Sequence, residues 1–248
     1  MPTAAPGSAR GQRLYRDQGV VLRSIKLGEA DRIVTLMSEG HGKVRAVAKG
    51  IRKTGSKFGG RLEPATHVAF QCHRGRELDV VTQVETIDAH RALREHYGCL
   101  THAVSMLEAV DQVALEREPD PELYRMLERA LRTLAEQPSP AVSTAFFWKL
   151  LSLEGFHPVV DQCTRCGGPA PFLAWDLRAG GVCCGACVLG GRPIVPGTAE
   201  TIARIVGGGL AGVLAEPPDD RVLAEVERLA VASLEFHSER RLKSASLR

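Results

Sequence analysis

"GVVLRSIKLGEADRIVTLMSEGHGKVRAVAK", residues 19–49, reads as three short strands parted by turns. GVVLRSI (19–25), RIVTLM (32–37) and KVRAVAK (43–49) are rich in β-branched residues, with period-two alternation. In the third run Val44, Ala46 and Ala48 face a core while Arg45, Val47 and Lys49 face outward. SEGHG (38–42) is a turn signal before it. HVAFQC (67–72) and LDVVTQV (78–84) add two more runs, joined through HRGRE (73–77). The longer loop GIRKTGSKFGG (50–60) precedes them. Five antiparallel strands within about 75 residues, with no long helix, predict a small closed barrel. The OB-fold is the leading form because it has five strands and commonly binds nucleic acid. An SH3-like barrel competes, and strand counting does not decide between them.

After about Asp88 the period becomes helical. ALREHYGCLTHAVSMLEAVDQVALE sets Leu100, Ala103, Met106, Leu107, Val110 and Val113 along one face. Asp120 with Pro121, and Ser139 with Pro140, are helix-start signals, and Gly155 suits a helix end. TAETIARIVGG and DDRVLAEVERLAVASLEFHSERRLK read as two further helices. The expected fold is α+β: a five-stranded OB barrel at 13–88, then an α-helical domain at 89–248. That domain carries a cysteine-rich insert at about 160–192, and residues 1–12 read as a loose, disordered tail.

Five of the seven cysteines fall between residues 163 and 187. Cys163-x2-Cys166 and Cys184-x2-Cys187, 17 residues apart, match zinc-ligand spacing. Two residues between thiolates place the sulfurs ~3.5–4 Å apart on one tetrahedral edge, with Zn–S bonds of ~2.3 Å. Gly167 and Gly185 supply backbone freedom at those turns. Cys183-x3-Cys187 is also geometrically possible, but Cys184 repeats the tighter turn of the first pair. Four thiolates leave no open coordination position, so one Zn2+ held here is structural. The absence of a secretory signal pattern and of an ~18-residue apolar run places the chain in a reducing cytoplasm, away from membranes. There, clustered thiols favour metal over disulfides.

Net charge is +3, yet it is unevenly spread. Residues 10–90 hold 15 Lys and Arg against 9 Asp and Glu, whereas residues 91–248 hold 17 against 20. The excess gathers in KVRAVAKGIRKTGSKFGGR (43–61), which contains Lys43, Arg45, Lys49, Arg52, Lys53, Lys57 and Arg61 and no acid. An acid-free run on a barrel strand and a Gly-rich loop points to phosphate neutralisation. Lysines blunting an edge strand are the plain alternative. Single-strand binders stack bases on aromatics, but residues 10–90 offer only Tyr15, Phe58 and Phe70, with Phe70 read as core. The grip is therefore expected to rest on the backbone and to select weakly among sequences.

No P-loop, H-E-x-x-H, G-x-S-x-G or zinc-deaminase pattern is present, and GHGK (40–43) is too short for a P-loop. His41, His67, His73, His96, His102, His157 and His237 are scattered. The chain reads as a binding protein, not an enzyme.

YRDQGVVLRSIKLGEADRIVTLMSEGHGKVRAVAKGIRKTGSKFGGRLEP (15–64) and ELDVVTQVE (77–85) resemble the N-terminal OB domain of the bacterial RecO family of DNA repair proteins. The likeness continues through CTRCGG, GGVCCGAC and the closing FHSERRLKS, covering nearly all the chain after the first dozen residues. The resemblance implies a cytoplasmic, nucleoid-associated recombination mediator without turnover. Such a protein binds single- and double-stranded DNA, anneals complementary strands and, with RecR, helps load RecA onto strands coated by single-strand-binding protein. It implies DNA binding by Lys43, Arg45, Lys49, Arg52, Lys53 and Lys57, and metal binding by Cys163, Cys166, Cys184 and Cys187. The helical domain would receive the acidic C-terminal tail of the single-strand-binding protein, with Lys149 in FFWKLL a candidate contact. Two rivals are a zinc-ribbon transcription or translation factor, whose metal module would touch nucleic acid, and a zinc-dependent hydrolase, which needs an open metal position.

Overall fold

A computed structural model describes residues 13–244; the tail expected at 1–12 lies outside the described residues. The chain divides into two compact units. One gathers the residues through Ala89 together with Leu115–Pro121; the other holds His90–Ala114 and the residues from Glu122 onward.

In the first unit, β1 (Leu14–Leu27), β2 (Asp31–Ser38), β3 (Gly42–Ala48), β4 (His67–His73) and β5 (Asp79–Asp88) form a closed barrel. The order is β1-β2-β3-β5-β4, with β4 returning to pair β1. This is the OB arrangement, and it decides what strand counting left open. One neighbour pair departs from the expected antiparallel set: β3 and β5 run parallel, because the connection after β3 crosses to β4 before β5 enters. At 14 residues β1 is the longest strand, since Gly19–Leu27 pairs β2 while Leu14–Val20 pairs β4. A bulge between Val21 and Arg23 bends it from one partner toward the other.

The period-two reading of β3 is what the barrel uses. Val44, Ala46 and Ala48 are buried in a core with Val21, Val34, Leu36, Val68, Phe70, Cys72 and Val81. Phe58 and Leu62 reach into the same core from the long loop and plug it. Phe58 is 1% exposed, so a loop that reads as polar and Gly-rich is pinned by one aromatic ring. Burial, and then the nearby Asp79 charge, push the Cys72 thiol up to about 12, leaving it an inert core group.

The parallel seam is short, with Ala46 opposite Asp79 and Val47 opposite Val80. The buried Asp79 carboxylate reinforces it by accepting from Tyr15 Oη (2.5 Å), Gly75 N (2.9 Å) and Arg117 Nη2 (3.3 Å). Arg117 belongs to the returning segment 115–121, which extends the seam. Lys43 N donates to Leu115 O (3.2 Å), and Arg117 N donates to Lys43 O (3.0 Å). Gly42, at φ +65°, is required here: a Cβ would meet Glu118 O at 1.8 Å.

In the second unit, α1 (Arg91–Glu95), α2 (Tyr97–Val113), α3 (Pro121–Glu136) and α4 (Pro140–Leu153) precede the insert. Helix α4 is buried on nearly every side and packs against its neighbours as a hydrophobic axle. Its start is as the sequence predicts: Ser139 Oγ accepts from Ala141 N, with Pro140 at the first position. At its end Gly155 adopts φ +89° and Phe156 N donates to Leu151 O (2.7 Å). The insert contains a three-stranded sheet that the sequence reading does not anticipate, with β6 (Phe172–Asp176) between β7 (Gly181–Cys184) and β8 (Arg192–Pro193). Its Trp175 is buried edge-to-face against Trp148 of α4, ring centroids 5.3 Å apart. Three helices follow instead of two: α5 (Thr198–Val206), α6 (Leu210–Ala215) and α7 (Asp220–Ser238). Gly207–Gly209 breaks the first from the short second. The buried Glu225 of α7 joins insert and bundle, accepting from Val195 N (2.6 Å) and Thr198 Oγ1 (2.9 Å).

Phe58→Ala should destabilise the barrel by about 3–5 kcal/mol, the cost of an emptied aromatic site. Urea unfolding followed by far-UV dichroism measures it, and a loss under 1 kcal/mol would show that the ring does not hold the loop.

Candidate functional site

The seven cations of residues 43–61 do not form one cluster. Lys43 and Arg45 stand at the start of β3, whereas Lys49 lies just beyond its end. Six residues of strand separate Lys43 from Lys49, roughly 20 Å at about 3.3 Å each. The far group of five, Lys49, Arg52, Lys53, Lys57 and Arg61, is exposed.

Local hydrogen bonds explain how the far loop is shaped. Arg52 N donates to Ala30 O (3.0 Å), and Arg52 Nη1 donates to Glu29 O (2.7 Å) and Gly28 O (3.3 Å), tying the loop to the β1–β2 turn. Gly50 N donates to Asp31 Oδ1 (2.7 Å). Lys57 Nζ donates to Thr82 O (2.9 Å) and lies over the Phe58 ring. Arg61 Nη1 donates to Lys57 O (2.9 Å). The side chains of Arg52, Lys57 and Arg61 thus each donate to a carbonyl oxygen. Such bonds fix geometry and leave the net charge uncancelled, so the loop end of the barrel keeps its positive field.

Arg45 differs. Its Nη1 meets Glu116 Oε1 at 3.3 Å, where the returning segment runs beside β3. A charge read from sequence as part of the strip is thus matched by an acid 71 residues away. None of the barrel's aromatic rings is placed for stacking. Phe58 and Phe70 are buried, and Tyr15 lies against His41 at 4.3 Å while bonded to Asp79.

The four thiols Cys163, Cys166, Cys184 and Cys187 come together, their sulfurs all within 4.8 Å of one another. Cys166 Sγ and Cys184 Sγ are 3.6 Å apart, close to the edge of a tetrahedron built on ~2.3 Å metal–sulfur bonds. Cys183 is outside this set. It is wholly buried beside Ala174, with Thr164 Oγ1 3.5 Å from its sulfur, because in β7 successive side chains point to opposite faces. Gly167 adopts φ +69° in the first turn; Gly185 is not left-handed, and its lack of a Cβ instead makes room for Leu173. The backbone N–H of Cys184, and after it those of Arg165 and Cys166, pull the Cys163 thiol down to about 6 against the opposing push of burial. This donor set fits a soft divalent ion in a closed four-sulfur site. Arg165, which reads as a surface cation, is a clamp: Nη2 meets Asp176 Oδ2 at 2.8 Å and Nη1 donates to Leu189 O at 2.7 Å.

The second unit also holds a groove of about 1000 Å3 between α3 and α4, closed by the turn after α5. Its walls combine Phe146, Leu153 and Leu210 with three cations, Arg125, Arg129 and Lys149. The two arginines stand one turn apart on α3, whose opposite face buries Leu123, Leu127, Leu131 and Leu134. Sequence reading names Lys149 but misses the arginines, because an amphipathic helix has a charged face whether or not it lines a groove. Ser143 Oγ lies 2.7 Å from His102 Nδ1, and Glu227 approaches the same nitrogen at 3.8 Å. A serine and an acid on one ring nitrogen are not arranged as nucleophile, base and orienting group.

Two family models match the chain. The model described as Recombination protein O N terminal covers residues 13–90, and that described as Recombination protein O C terminal covers residues 94–246.

If the four-thiol set holds the metal, Cys184→Ser should lower metal content from one ion per chain to nearly none, whereas Cys183→Ser retains it. Elemental analysis of the purified variants measures this, and the reverse pattern would transfer the ligand role to Cys183.

Proposed function

Since the chain belongs to the recombination protein O family, whose role lies in DNA recombination and repair, we propose that it is a non-enzymatic mediator gripping DNA strands by their phosphates. The observation that carries this reading is the group of five cations at one end of the OB barrel, facing carbonyls and solvent. Phosphates there displace counterions without first breaking an ion pair. The buried aromatics complete the argument. A barrel that cannot stack bases leaves their edges exposed, and a strand held only by its backbone remains able to pair. On this reading the protein binds single- and double-stranded DNA and anneals complementary strands. With RecR, it helps load RecA onto strands coated by single-strand-binding protein.

The groove in the second unit is the proposed seat of that protein's acidic C-terminal tail. Arg125, Arg129 and Lys149 suit carboxylates, and the apolar wall beside Phe146 suits a terminal hydrophobic side chain. The thiol set takes one structural Zn2+, whose part is to order the insert against α4. The zinc-ribbon alternative draws little from the insert, because Arg165 is spent on Asp176 and Leu189.

A salt titration of fluorescein-labelled single strands by anisotropy tests the grip. With five phosphate contacts, log affinity falls against log salt with a slope of about −3.5 or steeper, at ~0.7 per contact. Lys49→Ala with Lys53→Ala should flatten it by about 1.4, equally on every base sequence. These two are the cleaner targets, because Arg52 also anchors the loop. An unchanged slope, or a strong dependence on base sequence, removes this loop from the interface.

For the groove, a peptide with several aspartates and an apolar C-terminal residue should bind the full chain. Arg129→Glu should weaken it about tenfold by exchanging an attraction for a repulsion, and should leave DNA affinity as it was. Equal peptide binding by wild type and variant would place the tail elsewhere.

A further inference from the structure

The register of β1 and β2 sets Lys26 directly opposite Arg32. Like charges facing each other across a strand pair are destabilising, and proteins ordinarily place an acid at one of the two positions. Here neither cation has an acidic partner among the described residues. Arg32 Nη1 donates to Ser24 Oγ (3.2 Å), which leaves its charge intact. The nearest acid in sequence, Asp31, has its carboxylate engaged with Gly50 N.

The position of the pair gives the repulsion a purpose. Lys26 and Arg32 flank the β1–β2 turn, the turn to which Arg52 is tied through Gly28 O and Glu29 O. Arg32 also pairs with the core residue Ala48 of β3, so Arg32 and Lys26 stand on the inward face at the mouth of the barrel, and Lys49, one residue on, leaves the strand on the outward face. Hydrogen bonding and register therefore bring Lys26, Arg32, Lys49 and Arg52 to one end of the barrel from three separate segments. The turns at such an end are where OB barrels meet oligonucleotides.

Building on the reading of the barrel as a phosphate grip, we propose that Lys26 and Arg32 form its second row, each taking one phosphate of the strand held by the far loop. A phosphodiester backbone relieves their mutual repulsion by placing negative charge against both. The occupant is a nucleic-acid backbone because the pair flanks the turn that anchors the far loop with its five exposed cations, and a repeating anion can meet several cations in turn where a single carboxylate meets one.

The pair leaves a signature that a purely structural role does not. Lys26→Gln with Arg32→Gln removes an unfavourable contact, so the folded chain should hold or raise its urea midpoint while binding falls. Two further contacts steepen the wild-type single-strand slope from about −3.5 to about −4.9, and the double variant should return it to about −3.5. A control variant, Arg221→Gln with Arg241→Gln, removes the same net charge from exposed positions in the second unit and should leave the slope unchanged.

The measurement is the anisotropy salt titration on the metal-loaded full chain, with urea unfolding of each variant alongside. Three results would overturn the inference: a wild-type slope retained in the double variant, an equal loss in the control, or weaker binding accompanied by a lowered urea midpoint. A wild type with no salt-dependent DNA binding would instead overturn the phosphate-grip reading beneath it. A heparin chain that binds with the same slope while DNA does not would assign the row to another polyanion.

Discussion

The barrel closes over a seam only two residue pairs long, Ala46 with Asp79 and Val47 with Val80. The other strand neighbours of the barrel have longer ladders, so this parallel join is where the cylinder is thinnest. The buried Asp79 carboxylate holds it by gathering three donors from three parts of the first unit. A buried charge is costly unless its lone pairs are satisfied, and here they are, by a phenol, an amide and a guanidinium. The position of β3, and with it every cation on that strand, depends on this arrangement. Burial and the bond to Asp79 also push the Tyr15 phenol upward, so the ring stays a neutral donor to the seam.

Much of this was legible in the sequence because β3 states its faces plainly, with small apolar residues inward at 44, 46 and 48 and Arg45, Val47 and Lys49 outward. The zinc spacing was equally plain, since two x2 pairs leave little freedom. What was not legible has a common cause: it depends on which segments meet. Sequence reading carries the helical run through Glu116 and opens the next helix at Asp120 and Pro121, yet α2 ends at Val113 and the segment returns to β3. Only in three dimensions does Glu116 face Arg45, and Arg117 reach Asp79. Lys26 and Arg32 are six residues apart, and their opposition appears only once the hairpin register is fixed. Phe58, surrounded by glycines and lysines, carries no periodic signal, yet it is as buried as any strand residue. The insert's sheet was missed because its strands are two to five residues long, too short for alternation to register.

The four-thiol cluster and the exposed cations of the far loop lie in different units of the chain. In the insert the thiols order a segment whose own apolar mass is small, and Trp175 passes that order to α4 through Trp148. Helix α4 also lines the groove with Phe146 and Lys149. The split in charge follows the same division: the barrel carries the excess of cations, while the second unit is close to neutral and its groove cations come from α3 and α4.

The lack of an aromatic ring placed for stacking in the barrel bears on the kind of grip proposed for it. A protein that stacks bases gains affinity from each one it captures, and it must surrender that affinity before the base can pair. A protein that holds phosphates has no such conflict, because duplex and single strand present the same repeating charge. The cost is sensitivity to salt, which grows with each added contact. In the proposed grip the contacts would be spread over a loop and strand ends instead of gathered in a deep cleft, so each would be weak and screened. Many weak contacts let one strand be exchanged for a paired one in small steps, none of which requires full release. The proposed annealing role needs that property, and it draws on exposed cations, three of them bonded to carbonyls, on a barrel with no ring placed for stacking.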